Sequence, residues 1–346
     1  MKFDRKTGVH GWKSLLGIAV AAVLGAGPYM TAKAADPVPI RIGWQPDPNA
    51  ALYIARDTHI FSKMGLDAES IKFLAAPAMF AALQSKSIDV ADMGTAPFII
   101  GRTQGIDIQA VMIAVDVSGT NALIVQKTLK VTSGNDLKGL RIGAQRGTTP
   151  VYGLSQYLRE SGLRLDDVNF VDLTAPNVIP AFRKGEIDAT WVWSPWQNML
   201  VNFGGKRITT NKKVGALAPQ VWAVRTEWAR EHPEALQHFI AAIGMALREV
   251  KSNHSLAVKE LSTTLNLDEK TANEVLAEND YPTLQEQASK TYALSVLNGY
   301  PGSTAGLSLA LKNAGNFLRS IGIVKTAVNP DEMINPVPLK KYFEGK

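Results

Sequence analysis

The chain has 346 residues, 46% of them hydrophobic, with no cysteine and a formal net charge of +6. The lack of cysteine excludes disulfides, thiolate catalysis and lipid attachment to an N-terminal cysteine. Most of the excess positive charge lies in the first 34 residues, so the sequence does not predict binding to nucleic acid or to a membrane surface.

The first 34 residues have the pattern of a secretory signal peptide. A basic start is followed by an unbroken apolar or glycine run over residues 15–24, and Ala32-Lys33-Ala34 has the small-x-small pattern of a signal-peptidase site. The run is shorter than the roughly 20 apolar residues that span a bilayer. We therefore predict that residues 1–34 are a signal peptide, cleaved near Ala34; an uncleaved N-terminal anchor is the alternative.

The rest of the chain contains an internal repeat. Four short motifs recur in the same order, at offsets of 97 to 100 residues: Ile40-Arg41-Ile42-Gly43 and Leu140-Arg141-Ile142-Gly143, Ile71-Lys72-Phe73 and Val168-Asn169-Phe170, Ala76-Pro77 and Ala175-Pro176, Ile88-Asp89 and Ile187-Asp188. Their constant order and spacing predict two copies of one unit. The length of the chain likewise favours two domains.

Each copy is predicted to be strand, helix, strand, helix, strand. In chain order the first copy has these elements at 40–44, 49–62, 70–74, 77–86 and from Ile88; the second has them at 140–144, 151–161, 168–173, 177–184 and from Ile187. Short apolar strands that alternate with helices predict a parallel sheet with right-handed crossovers. Such sheets bind ligands at the carboxyl ends of their strands, where helix N-termini also lie.

The segments outside the repeat predict the connections between the copies. Strands at 110–115 and 122–125 flank a first crossover, and a second crossover is predicted near residues 219–225. Apolar residues at three- and four-residue spacing then predict helices that pack on the first copy. These are at 230–250, 255–262, 267–278, 284–297 and 305–321, with a loop at 299–302.

The sequence lacks the residue patterns of common enzymes. It contains no Gly-x-Ser-x-Gly motif, no phosphate-binding glycine loop and no His-Glu-x-x-His motif. Asp89 and Asp188 could be imagined as a catalytic pair, but their equivalent positions favour a structural role at a strand start. We predict no catalytic residue, no metal and no cofactor.

Two loops are predicted to form an anion site between the copies. Thr148 and Thr149 follow the first strand of the second copy and open a helix, and Thr95 and Ala96 have an equivalent place in the first copy. Backbone N–H groups at helix N-termini bind anions. N-capping is the alternative role for Thr148 and Thr149, and both roles can hold together.

Tryptophans are predicted to supply an aromatic wall. Trp44 and Gln45 end the first strand, Trp193 and Trp196 flank Ser194, and Trp222 lies in the second crossover. Aromatic rings cover the apolar part of an organic ligand. Core packing is the alternative, and it is the one we favour for Trp191 and Trp228.

Several segments together carry a family resemblance: Ile40-Arg41-Ile42-Gly43, Met93-Gly94-Thr95-Ala96-Pro97, Leu137-Lys138-Gly139-Leu140-Arg141-Ile142-Gly143, Gly185-Glu186-Ile187-Asp188-Ala189 and Val192-Trp193-Ser194-Pro195. They resemble the periplasmic binding proteins of nitrate, sulfonate and taurine ABC importers. Tyr281-Pro282 and Ala314-Gly315-Asn316-Phe317-Leu318 look closest to the taurine-binding branch. The resemblance implies a two-lobed α/β protein of periplasmic binding protein type II. Each lobe would be a mainly parallel five-stranded sheet flanked by helices, with lobe I at 35–117 plus 222–346 and lobe II at 118–221.

The resemblance also implies a function. The protein would be a periplasmic monomer that delivers a small anionic solute to an inner-membrane permease with its ATPase. By position, the sulfonate-contacting segments fall on Thr95-Ala96, Ser118 and Thr148-Thr149. The expected solute is a small organic anion, either an aliphatic sulfonate or a taurine-like compound. The taurine-type pattern has acids where this chain has Ser194 and Asn121, so the neutral wall fits a sulfonate without a free amine or another compact organic anion.

The expected ligand-binding set combines these residues: Trp44, Gln45, Thr95, Ala96, Ser118, Asn121, Thr148, Thr149, Trp193, Ser194, Trp196 and Trp222. Three alternatives stay open. One is a different solute, such as a nitrogen heterocycle, a pyrimidine precursor or a carboxylate. Another is an enzyme on this fold, although the related thiamine-pyrimidine synthases carry a cysteine-rich motif that this chain lacks. The third is a sensor subunit that signals to a membrane receptor.

Overall fold

The computed structural model describes residues 36–74, 76–297 and 306–345. The predicted signal peptide and the predicted loop at 299–302 lie outside these ranges. The strands, numbered in chain order, are β1 Val38–Trp44, β2 Leu66–Lys72, β3 Val90–Gly94, β4 Ile108–Asp116, β5 Ala122–Val125, β6 Arg141–Ala144, β7 Asn169–Asp172, β8 Ala189–Val192, β9 Lys206–Thr210 and β10 Pro219–Arg225.

The α-helices surround these strands. They are α1 Ala50–Asp57, α2 Ile60–Lys63, α3 Ala76–Gln84, α4 Thr95–Thr103, α5 Thr149–Arg159, α6 Ala175–Arg183, α7 Trp196–Asn202, α8 Thr226–Glu231, α9 Pro233–Ser252, α10 His254–Leu265, α11 Glu269–Glu278, α12 Leu284–Ala288, α13 Gly306–Ser320 and α14 Val337–Glu344. Among the described residues, none of these helices has the length and apolar content needed to cross a membrane.

The strands form two five-stranded sheets with the same strand arrangement. The first sheet has the order β2-β1-β3-β10-β4 and the second has the order β7-β6-β8-β5-β9. In each sheet the three repeat strands pair in parallel, and one antiparallel strand, β10 or β5, lies beside the third of them. The predicted α/β fold with two mainly parallel sheets is confirmed; the inserted antiparallel strand is an addition to the prediction.

The antiparallel strands also show where the chain changes sheets. It leaves the first sheet after β4 and enters the second at β5, then returns between β9 and β10. Strand β10 begins at Pro219, three residues before the predicted start of the returning lobe I segment at 222. The exact lobe boundaries stay a prediction.

The repeated glycines are required by close packing in both copies. A Cβ atom on Gly43 would lie 2.6 Å from Cδ1 of Ile88, and one on Gly143 would lie 2.7 Å from Cδ1 of Ile187. Real Cβ atoms do not approach this closely, so the isoleucine before each repeated aspartate fills the space that the glycine leaves.

The repeated aspartates make the same ion pair in both copies. Asp89 accepts hydrogen bonds from the backbone N of Arg41 at 2.9 Å, its Nε at 3.0 Å and its Nη2 at 2.8 Å. Asp188 accepts the equivalent bonds from Arg141 at 2.9, 3.0 and 2.7 Å. Both carboxylates therefore join the start of one strand to its neighbour, which confirms the predicted structural role.

Several element boundaries differ from the predictions. The predicted helix at 49–62 is two helices, because His59 has a left-handed backbone with φ of 59°. The third strands begin at Val90 and Ala189, two residues after the predicted starts. Strand β9 and helix α14 were not predicted: each is short, and β9 alternates polar and apolar residues only weakly.

The predicted helix at 284–297 ends early. Helix α12 stops at Ala288, where Ser289 adopts an extended conformation with φ −75° and ψ 141°. The side chain of Gln287 accepts a hydrogen bond from the N–H of Ile113 at 2.8 Å and donates one to its carbonyl at 3.0 Å. This buried amide ties the chain to β4, an interaction that local helical periodicity does not reveal.

The C-terminal helices pack on the elements of the first sheet. Helices α9 and α10 contact α1. Phe239 of α9 stacks on Phe61 at 6.1 Å between ring centroids and meets Trp222 edge-on at 5.1 Å. Trp222, predicted for the cleft, is fully buried in this core.

Candidate functional site

A small cavity lies where the carboxyl ends of β1, β3, β6 and β8 approach one another between the two sheets. Its volume is about 40 Å³. The described residues that line it are Gln45, Asp47, Pro48, Gly94, Pro97, Val117, Asn121, Thr148, Thr149, Pro150, Trp193 and Gln220. The cavity therefore has the location predicted for the cleft, and it brings together five of the predicted residues: Gln45, Asn121, Thr148, Thr149 and Trp193.

Two hydrogen bonds join the two sides of this cavity. The backbone N of Ala96, in the first turn of α4, donates to Oγ1 of Thr149 at 3.3 Å. The indole Nε1 of Trp193 donates to the carbonyl O of Pro46 at 3.2 Å. Each bond links a residue after a strand of one sheet to a residue after a strand of the other. The two sides of the cavity are therefore in direct contact, which is a closed arrangement.

The N-termini of α4 and α5 meet at the cavity. These helices begin at Thr95 and Thr149, and the first N–H groups of a helix have no partner within it. Thr148 occupies the N-cap position of α5, but its hydroxyl donates to the carbonyl of Gln145 at 2.6 Å and does not cap the helix. The hydroxyl of Thr95 donates to the carbonyl of Pro219. The N–H of Ala96 is bonded to Thr149, the N–H of Val151 is bonded to the carbonyl of Thr148, and Pro97 and Pro150 have no N–H. Among the first three residues of each helix, only Thr95 and Thr149 therefore have an N–H without one of these partners.

The first crossover contains one buttressing residue and one residue of the cavity wall. The hydroxyl of Ser118 donates to the carboxylate of Asp116 and accepts from the N–H of Ala218 at 2.8 Å. Ser118 therefore ties the two crossover segments together. Asn121 lines the cavity, and its buried Oδ1 has no hydrogen-bond partner among the described residues.

Of the tryptophans predicted to form an aromatic wall, Trp193 lines the cavity and Trp44, Trp196 and Trp222 do not. Of the described lining residues, Trp193 alone is aromatic. Trp44 is 6% exposed and packs edge-on against Tyr53, with Arg56 and Lys72 over its ring at 5.5 and 5.7 Å. Trp44 therefore contributes to the packing beside β1 and does not line the cavity.

Ser194 and Trp196 belong to the start of α7. The buried hydroxyl of Ser194 donates to Oδ1 of Asn198 at 2.6 Å and accepts from Nε2 of Gln197 at 3.2 Å. Trp196 is half-buried and packs on the apolar cluster of the second sheet. In this closed form their side chains stabilise the turn that carries Trp193.

Among the lining residues outside the predicted set, Asp47 and Gln220 are the two with polar side chains. Oδ1 of Asp47 accepts from the N–H of Asn49 at 3.1 Å, and its Oδ2 accepts from Nε2 of Gln220 at 3.2 Å. Oδ2 of the neighbouring Asp92 accepts from Nδ2 of Asn49 at 2.6 Å, while its Oδ1 has no partner among the described residues. Asp47 is 2% exposed and Asp92 is 1% exposed.

One feature of the sequence could have identified Asp47 as a cavity residue: it lies directly after the first strand, in Gln45-Pro46-Asp47-Pro48. The carboxyl end of a parallel strand is where such sheets bind ligands. Gln220 lay inside the predicted second crossover, and nothing in its local sequence marks it as a cavity residue.

Burial and proximity shift the ionisation of the two acids. Burial raises the pKa of Asp47 well above its usual range, and the nearby Asp92 charge raises it further. Burial raises the pKa of Asp92 to about 7, and the hydrogen bonds from Asn49 and Asp47 partly offset the rise. Both shifts favour the protonated form of these carboxyl groups.

The cavity wall has no basic side chain among its described residues. Arg146 follows β6 but does not line the cavity. Its guanidinium lies 3.9 Å from the carboxylate of Asp172 and 4.7 Å from the ring centre of Phe170. The described residues also hold no cluster of His, Asp and Glu with the geometry of a metal site. Donors to an anion here are backbone N–H groups and neutral side chains of the wall, such as the Thr149 hydroxyl and the Gln45 amide.

Comparison with known proteins places the chain in a family. Residues 33–262 match the model of the NMT1-like family. The chain belongs to the NMT1-like family. It is 25% identical to the taurine-binding periplasmic protein of Escherichia coli (strain K12) over 304 residues, which cover 85% of this chain and 90% of that protein.

Solved structures show the same fold. The alkanesulfonate-binding protein SsuA from Xanthomonas axonopodis pv. citri, bound to MOPS, aligns with a TM-score of 0.71 at 20% identity, over 87% of this chain and 99% of that chain. The desulfurization enzyme DszB aligns with a TM-score of 0.64 at 15% identity, over 89% and 99%. Binding proteins and an enzyme share this architecture, so function has to be argued from the cavity.

Proposed function

We propose that this chain is an exported, periplasmic solute-binding receptor of an ABC importer. It captures a small organic anion, such as an aliphatic sulfonate or a taurine-like compound, between two lobes and delivers it to an inner-membrane permease driven by its ATPase. The lobes comprise residues 35–117 plus 222–346 and residues 118–221, and the receptor acts as a monomer after removal of residues 1–34.

One observation carries this proposal: the N-termini of α4 and α5, from the two sheets, meet at a single closed cavity. The two helix ends bring the positive ends of two helix dipoles, and the backbone N–H groups of Thr95 and Thr149, to the same small space. In a water-excluded cavity each hydrogen bond to a charged group contributes about 1.5–3 kcal/mol. Backbone donors can therefore hold an anion without a lysine or arginine.

The composition of the cavity wall supports binding over catalysis. Asp47 is its only described side chain with an ionisable group, and no nucleophile lies beside a base there. The relatives named for taurine and sulfonate binding support the class of solute. Incubating the purified protein with each bound solute and analysing the mixture by mass spectrometry should show no product.

A melting-shift screen tests the proposal directly. The mature protein is measured with alkanesulfonates, taurine, carboxylates, nitrate and pyrimidines. A cognate ligand at 100 times its Kd should stabilise the folded protein by about 2.7 kcal/mol. If a neutral heterocycle raises the melting temperature and no anion does, the anion assignment is wrong.

A matched pair of variants locates the binding site. Thr149→Val removes the hydroxyl that meets Ala96 across the cavity and should weaken binding of the sulfonate hit by about tenfold. Thr103→Val removes an exposed hydroxyl at the far end of α4 and should leave affinity unchanged. Equal affinities for the two variants would place the ligand elsewhere.

A further inference from the structure

Asn211 is a fully buried residue that lies directly after β9, where the chain begins its return to the first sheet. Its Oδ1 accepts from Nε1 of Trp191 at 2.8 Å, and its Nδ2 donates to the carbonyls of Thr149 at 3.2 Å and Ala216 at 3.0 Å. Its backbone N–H donates to the carbonyl of Asn121 at 2.9 Å. One buried residue therefore joins β8, the N-terminus of α5 and both crossovers.

The orientation of the Asn211 amide is fixed by its three partners. An indole N–H can only donate and a backbone carbonyl can only accept, so turning the amide over would lose all three bonds. Losing a partner of a buried polar group is costly because no water replaces it. Asn211 does not itself line the cavity, so any effect on a solute has to act through the residues that it holds.

Helix α5 has a glycine where Asn211 needs room. A Cβ atom on Gly153 would lie 2.1 Å from Oδ1 of Asn211 and 2.8 Å from Cε2 of Trp191. Real Cβ atoms do not approach this closely, and glycine inside a helix destabilises it relative to alanine. The close approach of α5 to the Asn211 amide accounts for a residue that the helix alone does not favour.

The first copy holds its equivalent helix in a different way. Asn49 and Asp92 have the positions of Thr149 and Trp191, at offsets of 100 and 99 residues. Nδ2 of Asn49 donates directly to Oδ2 of Asp92 at 2.6 Å, so the start of the first helix is tied to the third strand. In the second copy the carbonyl of Thr149 and the indole of Trp191 are joined through Asn211 instead. Asn211 thus replaces a direct contact between the helix and the strand.

We propose that Asn211 is a positioning residue of the solute site, whose amide holds the N-terminus of α5 and the first crossover where the bound solute requires them. Three residues of the cavity wall depend on it. Thr149 and Asn121 are bonded to it directly, and Trp193 lies two residues after Trp191 in the same segment. A site of this kind binds well only when the residues behind its wall fix its geometry. The inference rests on the proposed function for solute binding, while the hold on α5 can be measured without a solute.

A second buried amide provides a matched control. Gln287 is also fully buried, and its side chain likewise accepts one hydrogen bond and donates two, to Ile113 and Pro282. It lies against β4 and does not line the cavity. Asn211→Leu and Gln287→Met each remove one such amide and nearly keep the volume of the side chain. Both variants should lower the urea midpoint of unfolding to a similar extent.

Two measurements separate positioning from general stability. Isothermal titration is run with ethanesulfonate and taurine, and Asn211→Leu should weaken each probe that the unmodified protein binds by about tenfold. Gln287→Met should stay within about twofold of the unmodified protein. Hydrogen exchange is then measured without a solute. The amides of residues 151–155 should exchange about fivefold faster in Asn211→Leu, the factor for one ordinary hydrogen bond, and at the unmodified rate in Gln287→Met.

A second pair of variants tests the same contact from the helix side. Gly153→Ala keeps Asn211 but places a methyl group against its amide, and should weaken binding about 3- to 10-fold. Gly244→Ala, inside α9, places a methyl group 2.5 Å from Cδ1 of Leu284 and should leave affinity unchanged. This pair decides the proposal even if Asn211→Leu does not fold.

The outcomes separate this inference from the proposed function. If Asn211→Leu and Gly153→Ala bind the probes as tightly as the unmodified protein, the proposed function stands and the inference is overturned. Equal losses of affinity in Asn211→Leu and Gln287→Met also overturn it, because they indicate general destabilisation. If the unmodified protein binds neither probe, the sulfonate assignment is overturned. Exchange at residues 151–155 then decides the inference: faster exchange in Asn211→Leu alone supports it, and unchanged exchange overturns it.

Discussion

The duplicated ion pair offers a comparison of burial within one molecule. Asp89 and Asp188 hold equivalent arginines with nearly identical hydrogen bonds. Their surroundings differ: the Asp89 side chain is 3% exposed and that of Asp188 is 24% exposed. Asp89 also accepts from Nη2 of Arg225 at 2.8 Å, and Arg225 is itself buried. We therefore predict that Asp89→Asn destabilises the fold far more than Asp188→Asn.

The magnitudes follow from the burial. Removing one partner of a buried ion pair costs about 3–5 kcal/mol, because an uncompensated charge stays behind. Asparagine can still accept the backbone N–H of Arg41, so we expect about 3 kcal/mol for Asp89→Asn. An exposed pair contributes about 0.2–1 kcal/mol, and we expect about 1 kcal/mol or less for Asp188→Asn.

Urea and thermal unfolding of both variants measure the difference. Arginine partners lower the pKa of Asp89 in the folded state. Its contribution is therefore fully present above the unfolded pKa of about 3.9 and is lost as pH falls through the lower folded value. The difference in the free energy of unfolding between Asp89→Asn and the unmodified protein should therefore decrease below about pH 3.9. Equal losses for both variants at pH 7 would refute burial as the deciding factor.

Three further predictions concern packing and closure. Gly143→Ala should destabilise the fold by about 1–3 kcal/mol, since the new methyl group meets Ile187; urea unfolding measures it, and a neutral result would refute the packing. Arg207 of β9 and Glu278 of α11 form an ion pair at 2.6 Å that links the second sheet to a helix packed beside the first. Arg207→Gln removes this pair at a cost of about 1 kcal/mol and should increase the population of open forms about fivefold. X-ray scattering should then show a larger radius of gyration. Trp193→Phe loses one hydrogen bond and should weaken solute binding about 2- to 10-fold in titration calorimetry; unchanged affinity would exclude a role in closure.

The fold was largely predictable because short motifs that occur in both copies mark the strands and the contacts between them. The glycine of each first strand recurs at an offset of 100 residues and the isoleucine-aspartate pair before each third strand at an offset of 99, and each has a packing or ion-pair reason in the structure. The places of the antiparallel strands in the sheets were not predicted. β5 was predicted as a strand beside the first crossover and β10 as part of the second crossover, and their pairing with β8 and β3 depends on contacts between distant parts of the chain.

The cavity was predictable in place but only partly in composition. Thr148, Thr149 and Trp193 follow strand ends, and position alone directed attention to them. Asp47 also follows a strand end, but its chemistry depends on Asp92, which lies within an apolar strand. A sequence gives no sign that these two carboxyl groups share one buried space, so the ionisation of the pair could not be anticipated.

The repeat places different groups at equivalent positions beside the cavity. Gln45 and Gln145 are equivalent, and the residues two positions later are Asp47 and Gly147. Gly147 has a left-handed backbone with φ of 76°, which directs the chain into the N-terminus of α5. The same position thus supplies a carboxyl group in one copy and a helix entry in the other.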